Sequence, residues 1–351
     1  MRIIITTTGI GGHLFPAIEL AKQLKKNNHL PLIIGTDASV NHKTIAENRI
    51  IVDSIPLKKP SKTLSFIISA IRSLWISLYF VHKVSPDIII GFGGYASVPI
   101  ILAGWLFKIP CIIHEQNVIP GKANKFLKNF TKKITISFAE TKKYFPNQKV
   151  VFTGYPSKNI DYNKLSKENI LKEFNLIPNK QTILITGGSQ GSHILNQTIK
   201  KILPKLIDKY NIQAIHICGV KDYELLKKEY ISKNLPIALF PFLNNITHAY
   251  FISDIVISRS GAGTIVELAQ HKKPAILIPY PYANAHQKEN ALLLTKQNAA
   301  ILCEEKDLSA DLLKKQIIAL LKDKKQTKTK DIYTPDACNR LMQVILSLKN
   351  K

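Results

Sequence analysis

The sequence predicts an α/β protein of two Rossmann-like, doubly wound parallel-sheet domains. Three observations carry that expectation. Short, nearly continuous β-branched runs recur along the chain, as strands buried on both faces require. Segments with helical spacing of apolar residues separate them. The rhythm then restarts after Pro156, in a chain of 351 residues that is long enough for two cores.

In the first half the strand candidates are RIIITTT (2–8), LPLIIGT (30–36), RIIVDSI (49–55), DIIIGFG (87–93), IPCIIHE (109–115) and KKITISF (132–138). Amphipathic segments 13–27 and 121–130 read as helices among them. The second half supplies QTILITG (181–187), QAIHICG (213–219), DIVISRS (254–260), PAILIPY (274–280) and AAILCEE (299–305). A polar stretch, YPSKNIDYNKLSKE (155–168), reads as the linker, so domains of 1–156 and 157–335 are expected. The Lys/Thr-rich stretch 322–330 reads as loop. Residues 336–349 look like a final helix, and the segment 336–351 is expected to pack back on the first domain.

One segment, LSFIISAIRSLWISLYFV (64–81), is apolar on nearly every side, interrupted by Arg72 and a few serines. Its length approaches the ~20 residues needed to span a bilayer. However, Arg72 sits mid-segment, and a span would cut a βα domain in two. Two readings remain: a helix packed on the sheet, or a helix whose outer face dips into a membrane interface, flanked by Lys58, Lys59, Lys62 and Lys83. On the second, Phe66, Ile67, Ile71, Leu74 and Trp75 make the contact.

Composition narrows the classes. With 45% apolar and 21% charged residues, the chain is neither disordered nor collagen-like. Cys111, Cys218, Cys303 and Cys338 lie far apart without a CxxC pair, so neither a disulfide framework nor a metal site is expected, and a reducing cytoplasm fits. MRIIITTTGIGGH reads as a strand entering a glycine turn rather than as an export signal. The net charge is +25, yet 44 of the 49 basic residues are lysine and five are arginine. Readers of nucleic acid lean on arginine forks, so no nucleic-acid partner is expected. A solvated lysine-rich surface remains, or attraction to an anionic surface; through Pro156 there are 20 basic against 7 acidic residues.

Four loops carry chemistry. TTTGIGGHLFP (6–16) follows the first strand and opens a helix, where glycines admit close approach and free N–H groups favour phosphate or an oxyanion. His13 adds a group that exchanges a proton near neutral pH. The loop departs from GxGxxG, so a dinucleotide site is weakly supported, and a plain glycine turn is the alternative. GFGGYASVP (91–99) and HEQNVIPGKAN (114–124) end two further strands, at the edge where ligands bind in doubly wound sheets. In the second half, TGGSQGSHILN (186–196) carries Ser189 and Gln190 at its tip. SRSGAGTIVELAQHKKPAILIPYPYANAHQKENA (258–291) supplies a glycine-rich helix start, then Glu267, then His286, Gln287 and Asn290. A diphosphate between such helix starts is neutralised without metal. Glu267 suits a ribose or sugar hydroxyl pair; its alternative is a solvated first-turn acid.

GGHLFP, GFGGYASVP, HEQNVIPGKANKFL, TGGSQGSHILNQ and the 258–291 series together resemble the MurG family. These are the undecaprenyldiphospho-muramoylpentapeptide β-N-acetylglucosaminyltransferases of bacterial peptidoglycan synthesis, in glycosyltransferase family 28. The motifs follow the family order over residues 6–291. The resemblance implies a GT-B architecture, two domains facing across a cleft, with UDP-GlcNAc on the second and lipid I on the first. It implies donor contacts at Ile10, Gly11, Gly12, Asn117, Lys158, Ser189, Leu243, Ala262, Gly263, Thr264, Ile265, Val266, Glu267 and Gln287. Gly93, Gly94, Tyr95, His114, Glu115 and Gln116 fall on the acceptor or diphosphate side, and membrane contact falls on 64–81. It further implies no cofactor, a peripheral place on the cytoplasmic face of the inner membrane, and cell-wall synthesis and division proteins as partners.

Departures are visible. The family's GGTGGH is TGIGGH here, with Thr8 and Ile10 in place of glycine and threonine. GNPVR becomes GYPSK (154–158), so Lys158 keeps the charge of an arginine but loses its fork, and Gly263 replaces a leucine. The expected chemistry is an inverting transfer with His13 as base; the sequence has no DxD pair, which fits metal independence. Another GT-B enzyme (a lipid glycosyltransferase or a UDP-GlcNAc 2-epimerase) is the alternative, and an anionic-polymer binder driven by charge a further one.

Overall fold

In a computed structural model, the described residues are 1–8, 11–36, 50–54, 64–282, 286–323, 327 and 329–349, less the side chains of Leu64, Phe66 and Ile67. The chain divides into two units, Met1–Lys158 with Thr334–Lys351, and Asn159–Tyr333.

The first unit is a parallel sheet of β1 (Arg2–Thr6), β2 (Leu30–Gly35), β3 (Ile51–Ser54), β4 (Ile88–Gly91), β5 (Cys111–Glu115), β6 (Lys133–Ile136) and β7 (Val150–Phe152). Its strand order is β3-β2-β1-β4-β5-β6-β7, every neighbouring pair parallel. Ile3, Ile4 and Ile5 are all buried, as are Ile88, Ile89 and Ile90, because helices cover both faces. The second unit repeats the plan with β8 (Gln181–Thr186), β9 (Ile212–Ile217), β10 (Ile237–Phe240), β11 (Ile255–Ser258), β12 (Ala275–Leu277) and β13 (Ala300–Leu302). Here the order is β10-β9-β8-β11-β12-β13. Strand order reverses direction between β1 and β4 in one unit and between β8 and β11 in the other. Such a switch point opens a crevice at the carboxyl ends of the strands.

Strands β7 and β10 have no counterpart among the sequence expectations. Both are edge strands of half-buried residues, so neither shows a long apolar run. The polar stretch 155–168 is more structured than a linker: Ser166 accepts a hydrogen bond from the Asn169 N–H and caps the helix Lys167–Glu173. The last helix, Ala337–Ser347, places Leu341 and Ile345 in the core of the first unit with Ile3, Ile5, Leu14 and Ile18.

The apolar segment forms the helix Leu64–Val84, which packs beside the helix Ser97–Leu106. Its inward face carries Ser69, Ser73, Ser77 and Val81 at every fourth position, all buried. Ile68, Ile71, Trp75 and Tyr79 point outward, with Trp75 70% and Tyr79 61% exposed. Exposed Trp105, Leu106, Phe107 and Phe126 extend the apolar surface: Phe107 neighbours His82, and Trp105 packs edge-on against Phe130, which in turn neighbours Phe126. Lys83, Lys108, Lys122, Lys125 and Lys132 are exposed in the same segments. Of the expected contact residues, Ile71 and Trp75 are exposed and Leu74 is half-buried, while the side chains of Phe66 and Ile67 lie outside the described residues, as do Lys58, Lys59 and Lys62. Among the described residues, no helix is long and apolar enough to cross a membrane.

Candidate active site

In the first unit the loops after β1, β4 and β5 gather at the switch point. Thr8, buried after β1, accepts a hydrogen bond from the Ala96 N–H at 2.9 Å and so ties the first loop to the second. The tie demands glycine opposite: a Cβ on Gly94, whose φ is +76°, would come within 2.5 Å of the Thr8 side chain. Gly11 is buried and Gly12 is exposed beside the start of the helix Leu14–Lys26. Ile10, expected at this turn, lies outside the described residues. Half-buried His13 precedes that helix, and its Nδ1 lies 2.7 Å from Gln116 Oε1.

The HEQN turn separates into different roles. His114 belongs to the core rather than to an acceptor surface. It is fully buried, its two ring nitrogens meet Thr135 Oγ1 at 3.0 Å and Ser137 Oγ at 3.1 Å, and burial pushes its pKa down to about 3. Glu115, also buried, is saturated by its own loop. Its carboxylate accepts from the Asn117 N–H at 2.9 Å, the Gly121 N–H at 3.0 Å and Asn124 Nδ2 at 2.8 Å. It therefore shapes the turn that presents Asn117 and is not an acceptor contact. Tyr95 and Asn117 keep partial exposure at this edge, Gly93 is buried within it, and Lys158 is exposed at the end of the unit.

In the second unit, Ser189 and Gln190 are exposed on the turn between β8 and the helix His193–Lys209. Gly188 and Gly191 hold φ of +84° and +77°, and a Cβ on Gly191 would sit 2.1 Å from the Cys218 carbonyl oxygen. The turn is thus pressed against the end of β9. Asn196 fastens it there, donating to the Cys218 carbonyl at 2.8 Å and to Asp222 Oδ2 at 2.7 Å. Leu243 is half-buried in the loop after β10.

The helix Ala262–His271 begins directly after β11. Ala262, Ile265 and Val266 bury their side chains in the core, which leaves their backbone to meet a ligand. Gly263, Thr264 and Glu267 keep partial exposure. Although Glu267 retains some surface, desolvation of its carboxyl pushes the pKa up to about 7, with the nearby Tyr250 hydroxyl acting weakly the other way. Tyr250 stacks on His271, ring centroids 5.1 Å apart, and its hydroxyl makes no hydrogen bond of good geometry. Gln287 clasps two loops: its Oε1 accepts from the Ser260 N–H at 3.2 Å and the Tyr280 N–H at 3.0 Å. That leaves its amide NH₂ as the end suited to a ligand acceptor.

Arg259 escaped the sequence reading. It is buried, pairs with Glu305 at 2.5 Å, donates to the carbonyls of Ile278 and Pro279, and lies over the Tyr280 ring. Its rarity in a lysine-rich chain was the available signal. Among the described residues, no cluster of His, Cys, Asp and Glu is arranged to hold a metal ion.

The glycosyltransferase family 28 N-terminal domain matches residues 3–136, and the family 28 C-terminal domain matches 182–340. The chain belongs to glycosyltransferase family 28. Within the family it is similar over its whole length to proteins named UDP-N-acetylglucosamine–N-acetylmuramyl-(pentapeptide) pyrophosphoryl-undecaprenol N-acetylglucosamine transferase. That of Natranaerobius thermophilus is 33% identical over 99% of this chain and 100% of the relative. That of Thermodesulfovibrio yellowstonii is 37% identical over 92% and 90%. Among solved structures, Acinetobacter baumannii MurG superposes with a TM-score of 0.75 at 24% identity, over 99% of this chain and 100% of that one. A Staphylococcus aureus MnaA–UDP structure reaches the same TM-score at 15% identity, over 100% and 98%. The GT-B fold is thus shared at low sequence identity, and shape alone does not distinguish the transferases.

Proposed function

We propose that the protein transfers N-acetylglucosamine from UDP-GlcNAc to the C4 hydroxyl of the muramyl sugar of lipid I, with inversion, giving lipid II for peptidoglycan. The observation that carries this reading is the 33–37% identity, over nearly the whole chain, to transferases of that name. The UDP-GlcNAc 2-epimerases share the fold at far lower identity: that of Neisseria meningitidis is 14% identical.

In this reading the second unit holds the donor. Backbone N–H groups at the glycine turn 187–192 and at the start of the helix Ala262–His271 take up the charge that develops on the leaving diphosphate. Ionised Glu267 accepts hydrogen bonds from a hydroxyl pair of the donor, and Gln287 offers its amide to the sugar. The first unit supplies His13, which removes the proton from the C4 hydroxyl as it attacks the anomeric carbon on the face opposite UDP. Lysine-rimmed apolar side chains on the helix Leu64–Val84 and its neighbours support peripheral attachment to the anionic cytoplasmic face of the membrane, where the acceptor's lipid resides.

The test is transfer of labelled GlcNAc from UDP-GlcNAc to lipid I by the purified protein, with and without chelator. Labelled lipid II is expected in both, and His13→Ala should lower kcat by about 10²–10⁴-fold. Absence of lipid II, or release of a 2-epimeric sugar nucleotide, would overturn the reading.

A further inference from the structure

We infer that Gln116 is a positioning residue that fixes the tautomer of His13, keeping the proton on Nδ1 and leaving the Nε2 lone pair to accept the hydroxyl proton. The inference rests on the reading of His13 as the base and deepens it.

The assignment follows from a chain of donors and acceptors. Gln116 is 1% exposed, on the turn after β5. Its Nε2 donates to the His114 carbonyl oxygen at 3.0 Å, and Asn124 Nδ2 donates to the same oxygen at 3.2 Å. A carbonyl oxygen only accepts, so the nitrogen end of the Gln116 amide faces His114 and the oxygen end faces His13. With Oε1 at 2.7 Å, the facing ring nitrogen must carry a hydrogen: Nδ1–H donates to Gln116. A neutral imidazole has one N–H, so Nε2 is the basic nitrogen. This is the tautomer that a free histidine side chain disfavours, and the buried amide reverses that preference. The ring is also bounded by the second glycine loop, since a Cβ on Gly93 would lie 3.5 Å from His13 Cε1.

The choice of an amide has its own consequence. A carboxylate in this place would hold the ring and also stabilise imidazolium, trapping the proton that the base must release after each turnover. The carboxylate next in sequence, Glu115, is engaged by Asn117, Gly121 and Asn124 instead. Gln116 orients the ring without adding charge.

The experiment uses full-length protein labelled with ¹⁵N-histidine, long-range ¹H–¹⁵N correlation spectra, and His13→Gln to assign the signal. Native His13 is expected as Nδ1–H. Gln116→Met, of similar length but without the acceptor, should shift it mainly to Nε2–H and lower kcat by about 10–100-fold while donor KM stays within about 2-fold. Gln116→Glu should keep Nδ1–H, recover part of kcat and move the acidic limb of the kcat profile to higher pH. Native His13 found as Nε2–H, an unchanged tautomer in Gln116→Met, or a loss confined to KM would overturn the inference. The tautomer is read without any transfer, so a native protein inactive on lipid I would sink the transferase reading while the spectra still decide the role of Gln116.

Discussion

In the proposed reading, Glu267 links the donor site to pH. Burial holds its carboxyl near 7 against an ordinary value of 4.5, so between those values the folded protein binds a proton that the unfolded chain has released. Its effect on stability is therefore a loss as pH rises from 4.5 to about 7, levelling above that. The thermal midpoint of the native protein should fall relative to Glu267→Gln across about pH 5 to 7.5, and equal slopes would disprove the shift. Donor binding should run the opposite way, because only the ionised carboxylate accepts from two hydroxyls; donor KM is expected to fall as pH rises through about 7 and to flatten in the variant. At this scale the sequence was legible where a residue type is tied to a turn, as with His13 and Glu267. It was not legible where burial decides the role. His114 and Glu115 sit in the same motif as Asn117, yet one is core and the other a loop clamp, because β5 is covered on both faces up to its last residue. Asn196 and Arg259 act through carbonyl groups distant in sequence, and no local spacing reveals such partners.

The glycine turn after β8, which the proposed reading gives to the donor, offers a cleaner test of an element. Gly191 and Gly188 both hold positive φ, but only at Gly191 would a side chain strike backbone, the Cys218 carbonyl. Gly188→Ala should cost about 1–2 kcal/mol from backbone strain alone. Gly191→Ala should cost more, roughly 2–4 kcal/mol by denaturant titration, and raise donor KM as the turn is pushed off β9. Equal effects from the two would show that the close approach is unimportant. Central strands were readable because two-sided burial writes unbroken isoleucine runs into the sequence; edge strands β7 and β10 leave no such trace. The helix Leu64–Val84 was readable as apolar but not as inside-out. Its serines allow close contact with the neighbouring helix while bulky residues are left facing outward, an inversion that hydropathy alone does not orient.

Across the whole molecule, a charge of +25 spread over many lysines says that anionic surfaces attract the chain, but not where they would touch it. In the proposed reading, the cluster of exposed Ile71, Trp75, Tyr79, Trp105 and Phe107 is the place. Co-sedimentation should show binding to vesicles containing anionic lipid, weakened by about 0.5 M salt, and weak binding to zwitterionic vesicles. Ile71→Glu with Trp75→Glu should abolish binding without changing the thermal midpoint, since neither side chain is in a core; retained binding would move the contact elsewhere. The two-unit plan was legible from the restart of the strand rhythm, and the return of the last helix was expected, although its docking partners were not readable from the helix itself. That return has a bearing on biogenesis. Because Leu341 and Ile345 complete the core around Ile3 and Leu14, the first unit is finished only after the second has been synthesised, and until then part of one face of its nascent sheet stays uncovered.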